Sequence, residues 1–284
     1  MRDFYRVNQH SDATQVYGVI GNPIGHSMSP AIFNESFNAL GMDAVYLAFR
    51  VEDVADFVET FKGIGMLGCS VTIPHKHAIM PFMHEVDGLV QRIGVMNTVA
   101  QKDDGLFGTN TDLLAAISGI EEALEAKGSP GLDGKSAVMI GAGGVGRAIA
   151  FGLVDRGAKL TIVNRTASKA EQLAADVGCE WRPIEELPHL TADVLVNSTS
   201  VGMHPHEDAT PAPAGLLRSG MVVFDAVYNP IETKLLREAK SRGCVTVSGF
   251  DMFAKQAAAQ FELWFGRPAP VDVMAAVVRK RLGG

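Results

Sequence analysis

Three glycines carry the first recognisable chemistry in this sequence. They lie at Gly141, Gly143 and Gly146 in the run Val138-Met139-Ile140-Gly141-Ala142-Gly143-Gly144-Val145-Gly146-Arg147. An apolar strand, a glycine turn and a helix start in that order make a dinucleotide cradle. Gly141 allows the tight turn, Gly143 lets a pyrophosphate approach the backbone, and Gly146 lets helix and strand pack closely. The helix N-terminus offers N–H groups and a positive dipole end to the phosphates. The next strand, Lys159 to Val163, runs into Asn164-Arg165-Thr166 and then Lys169. An NAD site carries an acid at this strand end to hold the ribose 2′-OH. Asn164 followed by two cations suits a 2′-phosphate instead, which favours NADP. A solvated turn with Thr166 as helix cap is the competing description of the same residues.

A nicotinamide cofactor supplies hydride chemistry, so the protein must hold the substrate and move a proton. Cys69, Cys179 and Cys244 are too dispersed for a zinc site. No tyrosine is followed by the Tyr-x-x-x-Lys spacing of short-chain dehydrogenases. Lys76 is the first candidate for the proton: it follows an apolar strand at the end that faces a cleft in α/β proteins. A nearby helix start there would lower its pKa. An exposed turn lysine fits the same pattern. Asp112 is the second candidate, and a dipole-favoured acid in the first turn of a helix fits it equally. Ser27 and Ser29 read most simply as cap residues, and Asn97 and Asn110 as turn formers. His26, His75 and His77 show no metal spacing, and His204 and His206 sit in a proline-bearing loop.

The elements that must position these groups follow from hydrophobic periodicity. Strands are expected over 16–20, 44–49 and 67–73, with helices over 29–40 and 53–64. The first of these helices would be capped by Ser29 with Pro30 at its first position. Short helices are expected over 76–95, a hairpin over 97–100 and 105–108, and a long helix from 112 to 126. Gly128-Ser129-Pro130-Gly131 is a breaker cluster. From Lys135 strands ending near Ile140, Val163, Val196, Asp225 and Val247 alternate with helices at 145–156, 167–176 and 231–241. That rhythm implies a parallel, doubly wound sheet. Helices over 251–265 and 270–281 close the chain. The fold class is therefore α/β with two domains and a cleft between them.

The chain has 284 residues, 47% of them hydrophobic, and a net charge of −7. This suits an enzyme with a sizeable core and argues against non-specific nucleic-acid binding. Residues 1–15 read as a loose polar tail rather than a signal peptide. No apolar run approaches membrane-spanning length. The odd, scattered cysteines form no disulfide framework and fit a cytoplasmic setting.

Taken together, the stretches resemble the shikimate dehydrogenase family over nearly the whole chain. Asn22-Pro23-Ile24 with His26-Ser27-Met28-Ser29-Pro30 is similar to its serine motif, and Ser70-Val71-Thr72-Ile73-Pro74-His75-Lys76 to its lysine motif. Asn97-Thr98, Gly108-Thr109-Asn110-Thr111-Asp112, Asn197-Ser198-Thr199, Asp225-Ala226-Val227-Tyr228 and Gly249-Phe250-Asp251-Met252 leading to Gln256 continue the series. The resemblance implies reversible NADP(H)-dependent reduction of 3-dehydroshikimate to shikimate in aromatic amino-acid biosynthesis. It implies a substrate domain of 1–111 with 249–284 and an NADP-binding Rossmann domain of 112–248. Lys76 and Asp112 would be the catalytic pair, with Lys76 passing the proton. Ser27, Ser29 and Tyr228 would hold the substrate carboxylate, and Thr72, Asn97 and Gln256 its ring hydroxyls. Gly141, Ala142, Gly143, Gly144 and Val145 would cradle NADP. Asn164, Arg165, Thr166 and Lys169 would take its 2′-phosphate, and Thr199, Gly249 and Met252 would also line its site. No metal, nucleic acid or membrane partner is implied, and the chain would act as a monomer or homodimer. Phe33, Gly146 and Lys169 depart from the family's usual histidine, serine or alanine, and arginine. An NAD-linked quinate/shikimate dehydrogenase of quinate catabolism is the alternative, and a non-catalytic dinucleotide-binding regulator is a third class.

Overall fold

Buried apolar runs build both sheets. In the computed structural model, which describes residues 11–25 and 27–282, contacts divide the chain into two compact units. One is Met1–Thr111 with Ala254–Gly284, and the other is Asp112–Phe253. His26, and the expected loose tail as far as residue 10, lie outside the described residues.

The first unit holds β1 (Gln15–Gly21), α1 (Ser29–Ala39), β2 (Ala44–Arg50), α2 (Val54–Gly63), β3 (Met66–Val71), β4 (Glu85–Val86), α3 (Gly88–Ile93), β5 (Thr98–Lys102) and β6 (Gly105–Thr109). Its sheet order is β2-β1-β3-β5-β6-β4. β1, β2 and β3 pair in parallel, whereas β3, β5 and β6 pair antiparallel, the last two as the expected hairpin. The last helix, α9 (Val271–Leu282), packs on α1. Two details depart from expectation. Met28 occupies the cap position of α1, so Ser29 lies inside the helix; Ser27 Oγ accepts from the Ser29 N–H at 3.3 Å instead. β3 stops at Val71, not at residue 73. Pro74 has no N–H for a ladder and restricts Ile73, whose side chain is 67% exposed.

The second unit opens with α4 (Asp112–Glu125), followed by β7 (Ser136–Ile140), α5 (Gly144–Asp155), β8 (Lys159–Asn164), α6 (Ala167–Val177), β9 (Glu180–Pro183), β10 (Val194–Asn197), β11 (Val222–Asp225), α7 (Lys234–Ser241) and β12 (Val245–Val247). The order β12-β11-β10-β7-β8-β9 is wholly parallel. Strand order reverses between β7 and β10, the switch point at which such sheets bind ligands. The breaker cluster at 128–131 is internal to this unit. The second division falls within α8 (Gly249–Phe265), between Phe253 and Ala254 rather than at Gly249. The first turn of α8 is pressed onto the 226–228 segment: a Cβ on Gly249 would meet Val227 O at 2.5 Å and Ala226 O at 2.6 Å.

Candidate functional site

The glycine loop of the second unit is shaped by what packs behind it. Gly141 leaves β7 at φ +113, a conformation that favours glycine, and its N–H donates to Val163 O. A Cβ at Gly141 or at Gly146 would meet Ser198 Oγ at 2.5 Å in either case. Ser198 is itself held, donating to Ile140 O at 3.0 Å. Gly146 is thus demanded here by Ser198, the residue just after β10. Gly143 differs: a Cβ there would enter open space, and this residue caps α5 without any side-chain acceptor. The loop is closed where the helix packs and open at Gly143, at the N-terminus of α5.

At the end of β8, Asn164 Nδ2 donates to Thr166 O at 2.9 Å, tightening the turn. Thr166 stands at the cap position of α6, as the competing description has it, though its hydroxyl makes no cap bond. Arg165, Thr166 and Lys169 are exposed, and among the described residues neither cation has an ion pair. Two cations beside an amide, with no carboxylate at the strand end, suit an anionic group better than a ribose diol.

Asn197 and Asp225, which belong to no motif role assigned above, end two neighbouring apolar strands and are fully buried. Asn197 Nδ2 donates to Asp225 Oδ1 at 2.9 Å, and Asn197 Oδ1 accepts from the Thr199 N–H and hydroxyl at 3.0 and 2.7 Å. Asp225 also accepts from the Val227 N–H and the Thr233 hydroxyl. Burial pushes its carboxyl up to about 6, against those three donors. The pair braces Thr199 and the segment leading to Tyr228. Tyr228 stacks on Phe253 with centroids 4.7 Å apart, and burial raises its phenol. Met252 is buried in the adjacent turn of α8. A polar residue closing an all-apolar strand is the signal that could have singled the pair out.

The first unit gathers most of the expected substrate residues. Lys76 lies in a run of turns, not at a helix start, yet it is only 8% exposed, which removes the exposed-turn description. Its carbonyl accepts from the Met96 N–H at 2.9 Å, which sets it beside Asn97 in the fold. Asn97 is buried, as is Asn110, so neither is a surface turn former. Asn97 Nδ2 lies 3.5 Å from Gln256 Oε1, although 159 residues separate them. Thr72 is half-buried just past β3, and His75 anchors the turn by bonding Val51 O at 2.9 Å. Ser29 is buried beside Tyr46, whose ring stacks on Phe33 at 4.4 Å and 5°. Phe33 therefore serves as a packing plate beneath the serine helix. Asp112 opens α4 and is buried, unlike an ordinary solvated first-turn acid.

Three family models match the chain: the shikimate dehydrogenase substrate binding domain over 19–99, shikimate/quinate 5-dehydrogenase over 122–214, and the shikimate 5′-dehydrogenase C-terminal domain over 249–279. The chain is 43% identical to the shikimate dehydrogenase (NADP(+)) of Bacillus cereus, across 95% of its own length and 99% of the relative's. Among solved structures it is similar to the Thermus thermophilus shikimate 5-dehydrogenase in complex with NADP(H) and shikimate. That match has a TM-score of 0.81 and 36% identity over 94% of this chain and 99% of that one. It is also similar to the Corynebacterium glutamicum quinate dehydrogenase in complex with NAD, at TM-score 0.85 and 31% identity over 94% and 99% of the two chains.

Proposed function

This chain belongs to the shikimate dehydrogenase family, and from that premise we propose how its residues divide the work. The reaction is the reversible, NADP(H)-dependent reduction of 3-dehydroshikimate to shikimate, a step toward chorismate and the aromatic amino acids. The near full-length likeness to NADP(+)-linked shikimate dehydrogenases carries this conclusion. The residues present fit the cofactor: a glycine loop open at Gly143, and unpaired cations at Arg165 and Lys169. When bound, NADPH supplies the hydride that reduces the ring carbonyl.

The chain's own residues do the rest. Gly141 to Val145 hold the pyrophosphate on the N-terminus of α5. Asn164, Arg165, Thr166 and Lys169 hold the 2′-phosphate, and Thr199, Gly249 and Met252 complete the cofactor side. Ser27, Ser29 and Tyr228 hold the substrate carboxylate, and Thr72, Asn97 and Gln256 its ring hydroxyls. Lys76 and Asp112 are the catalytic pair: Lys76 carries the proton at Nζ and delivers it to the carbonyl oxygen as the alcohol forms. The burial of Lys76 and Asp112, with the polar residues around Asn97, supports this assignment. Residues 1–111 with those from Ala254 onward form the substrate-binding domain, and the doubly wound unit with the first turn of α8 forms the NADP domain. We place the enzyme in the cytoplasm as a monomer or homodimer; free thiols at Cys69, Cys179 and Cys244 suit a reducing compartment.

The NAD-linked quinate alternative is not favoured, because position 164 is an amide followed by cations. The test is kcat/KM for shikimate and quinate with NADP+ and with NAD+, read from NADPH or NADH absorbance. Shikimate with NADP+ should be best, and Arg165→Ala should erase most of the NADP+ preference. Absent turnover of shikimate with NADP+ overturns the assignment.

A further inference from the structure

The first unit buries an unusual amount of hydroxyl and amide chemistry around Asn97, and all of it is connected. Tyr46 and Thr98 are fully buried, and Gln260 and Ser70 are at most 6% exposed. The Tyr46 hydroxyl donates to Ser70 Oγ at 2.6 Å, and Ser70 Oγ donates to Gln260 Oε1 at 2.8 Å. Gln260 Nε2 donates to Thr98 Oγ1 at 2.9 Å and to Asn97 O at 3.3 Å. The Thr98 hydroxyl, having accepted from Gln260, donates to Asn97 Oδ1 at 2.8 Å. Every bond runs in one direction, from the phenol toward the asparagine.

That direction has a consequence for Asn97. The Thr111 backbone N–H, which can only donate, reaches Asn97 Oδ1 at 2.8 Å. With the Thr98 hydroxyl it uses both lone pairs of that oxygen, and the Thr111 hydroxyl adds a longer contact at 3.3 Å. The amide is therefore not free to turn over, and Nδ2 is the face left for a ligand. One Nδ2 hydrogen goes to Thr111 Oγ1 at 2.9 Å, while the other has Gln256 Oε1 only at 3.5 Å, the limit of a hydrogen bond.

We propose that Tyr46, Ser70, Gln260 and Thr98 are positioning residues that lock the Asn97 amide with Nδ2 toward the substrate, so that the site selects a ring oxygen able to accept a hydrogen bond there. The inference rests on the reading that Asn97 meets a ring hydroxyl. It goes beyond that reading by assigning selectivity to side chains behind the site. Burial keeps the Tyr46 phenol protonated, well above its ordinary range, so the head of the chain remains a donor at working pH. A buried polar group made to bond a substrate oxygen discriminates sharply against analogues that lack it.

The test is Thr98→Val, which keeps the shape and removes the hydroxyl, with Thr98→Ser as the conservative control. Steady-state kinetics are run on shikimate and on its ring-monodeoxy analogues with NADP+. For Thr98→Val we expect the shikimate KM to rise about tenfold, the worth of one hydrogen bond, with the NADP+ KM unchanged. The kcat/KM ratio between shikimate and the analogue lacking the hydroxyl opposite Asn97 should shrink by about the same factor, and Thr98→Ser should restore both. Tyr46→Phe, which keeps the ring stacked on Phe33, should shift the ratio the same way by a smaller factor, and it carries the test should Thr98→Val not fold. An equal fall in kcat/KM for every substrate, with the ratio intact, overturns the proposal and leaves these residues merely structural. A wild-type enzyme inactive on shikimate with NADP+ sinks the functional reading itself, whereas active wild type with unchanged ratios in both variants sinks only this inference.

Discussion

Replacing Gly146 with alanine adds one methyl group at the most crowded point of the cofactor loop. Its Cβ would stand 2.5 Å from Ser198 Oγ, 3.2 Å from Gly141 O and 3.3 Å from Ser198 Cβ. The first distance is impossible, so Ser198 must rotate and give up its bond to Ile140 O. Overpacking of this kind costs about 1–3 kcal/mol, and the lost hydrogen bond about 1 more. Alanine returns at most about 1 kcal/mol of helix propensity, since Gly146 lies in α5. The net expectation is about 1–3 kcal/mol of destabilisation. In a Ser198→Ala background the remaining contacts need only a few tenths of an ångström of give. The same substitution should then cost about 0–1 kcal/mol, a coupling of about 1–2 kcal/mol between the two positions. Urea unfolding followed by Trp181, the tryptophan of the second unit, reads the stability, and NADP+ titration reads the loop. NADP+ affinity should weaken several-fold in Gly146→Ala alone. A Gly146→Ala protein as stable as wild type, or an equal cost in both backgrounds, refutes the claim that Ser198 is what demands the glycine.

Two further outcomes follow from the buried ionisable residues. Lys76→Ala should lower kcat by about 10²–10⁴-fold, the usual contribution of a positioned proton donor, with little change in the shikimate KM. A raised KM with normal turnover would remove Lys76 from the proton path. Asp225 has a folded value of about 6 against an ordinary 3.8. Its carboxyl therefore contributes stability that is fully present below 3.8 and is lost as pH rises through about 6, amounting to about 3 kcal/mol. Asp225→Asn keeps an oxygen toward Asn197 and Val227 but does not ionise, so its stability relative to wild type should improve between about pH 4 and about pH 7. Parallel urea midpoints for the two proteins over that range would show that the carboxyl is not the titrating group.

Much of this architecture could be read along the chain because its signals are local. The glycine loop, the alternation of strands and helices after Lys135, and the hairpin at Thr98–Thr109 each depend on residues within a few turns of one another. The cations after β8 announced the cofactor for the same reason. Boundaries set by backbone restriction were less visible: β3 ends early because of Pro74, and Met28, not Ser29, caps α1. Burial was invisible wherever a polar residue sat in a turn-like sequence, as with Lys76, Asn97 and Asn110. What the order of residues determined unaided is where the main strands form, though not the short β4 and β9, which glycines bend and where charge lies. The tertiary structure alone decided that Ser70 meets Gln260 across 190 positions and that Ser198 fills the space behind Gly146. Those contacts depend on which strands become neighbours, and burying polar groups together is favourable only once that packing has excluded water from them.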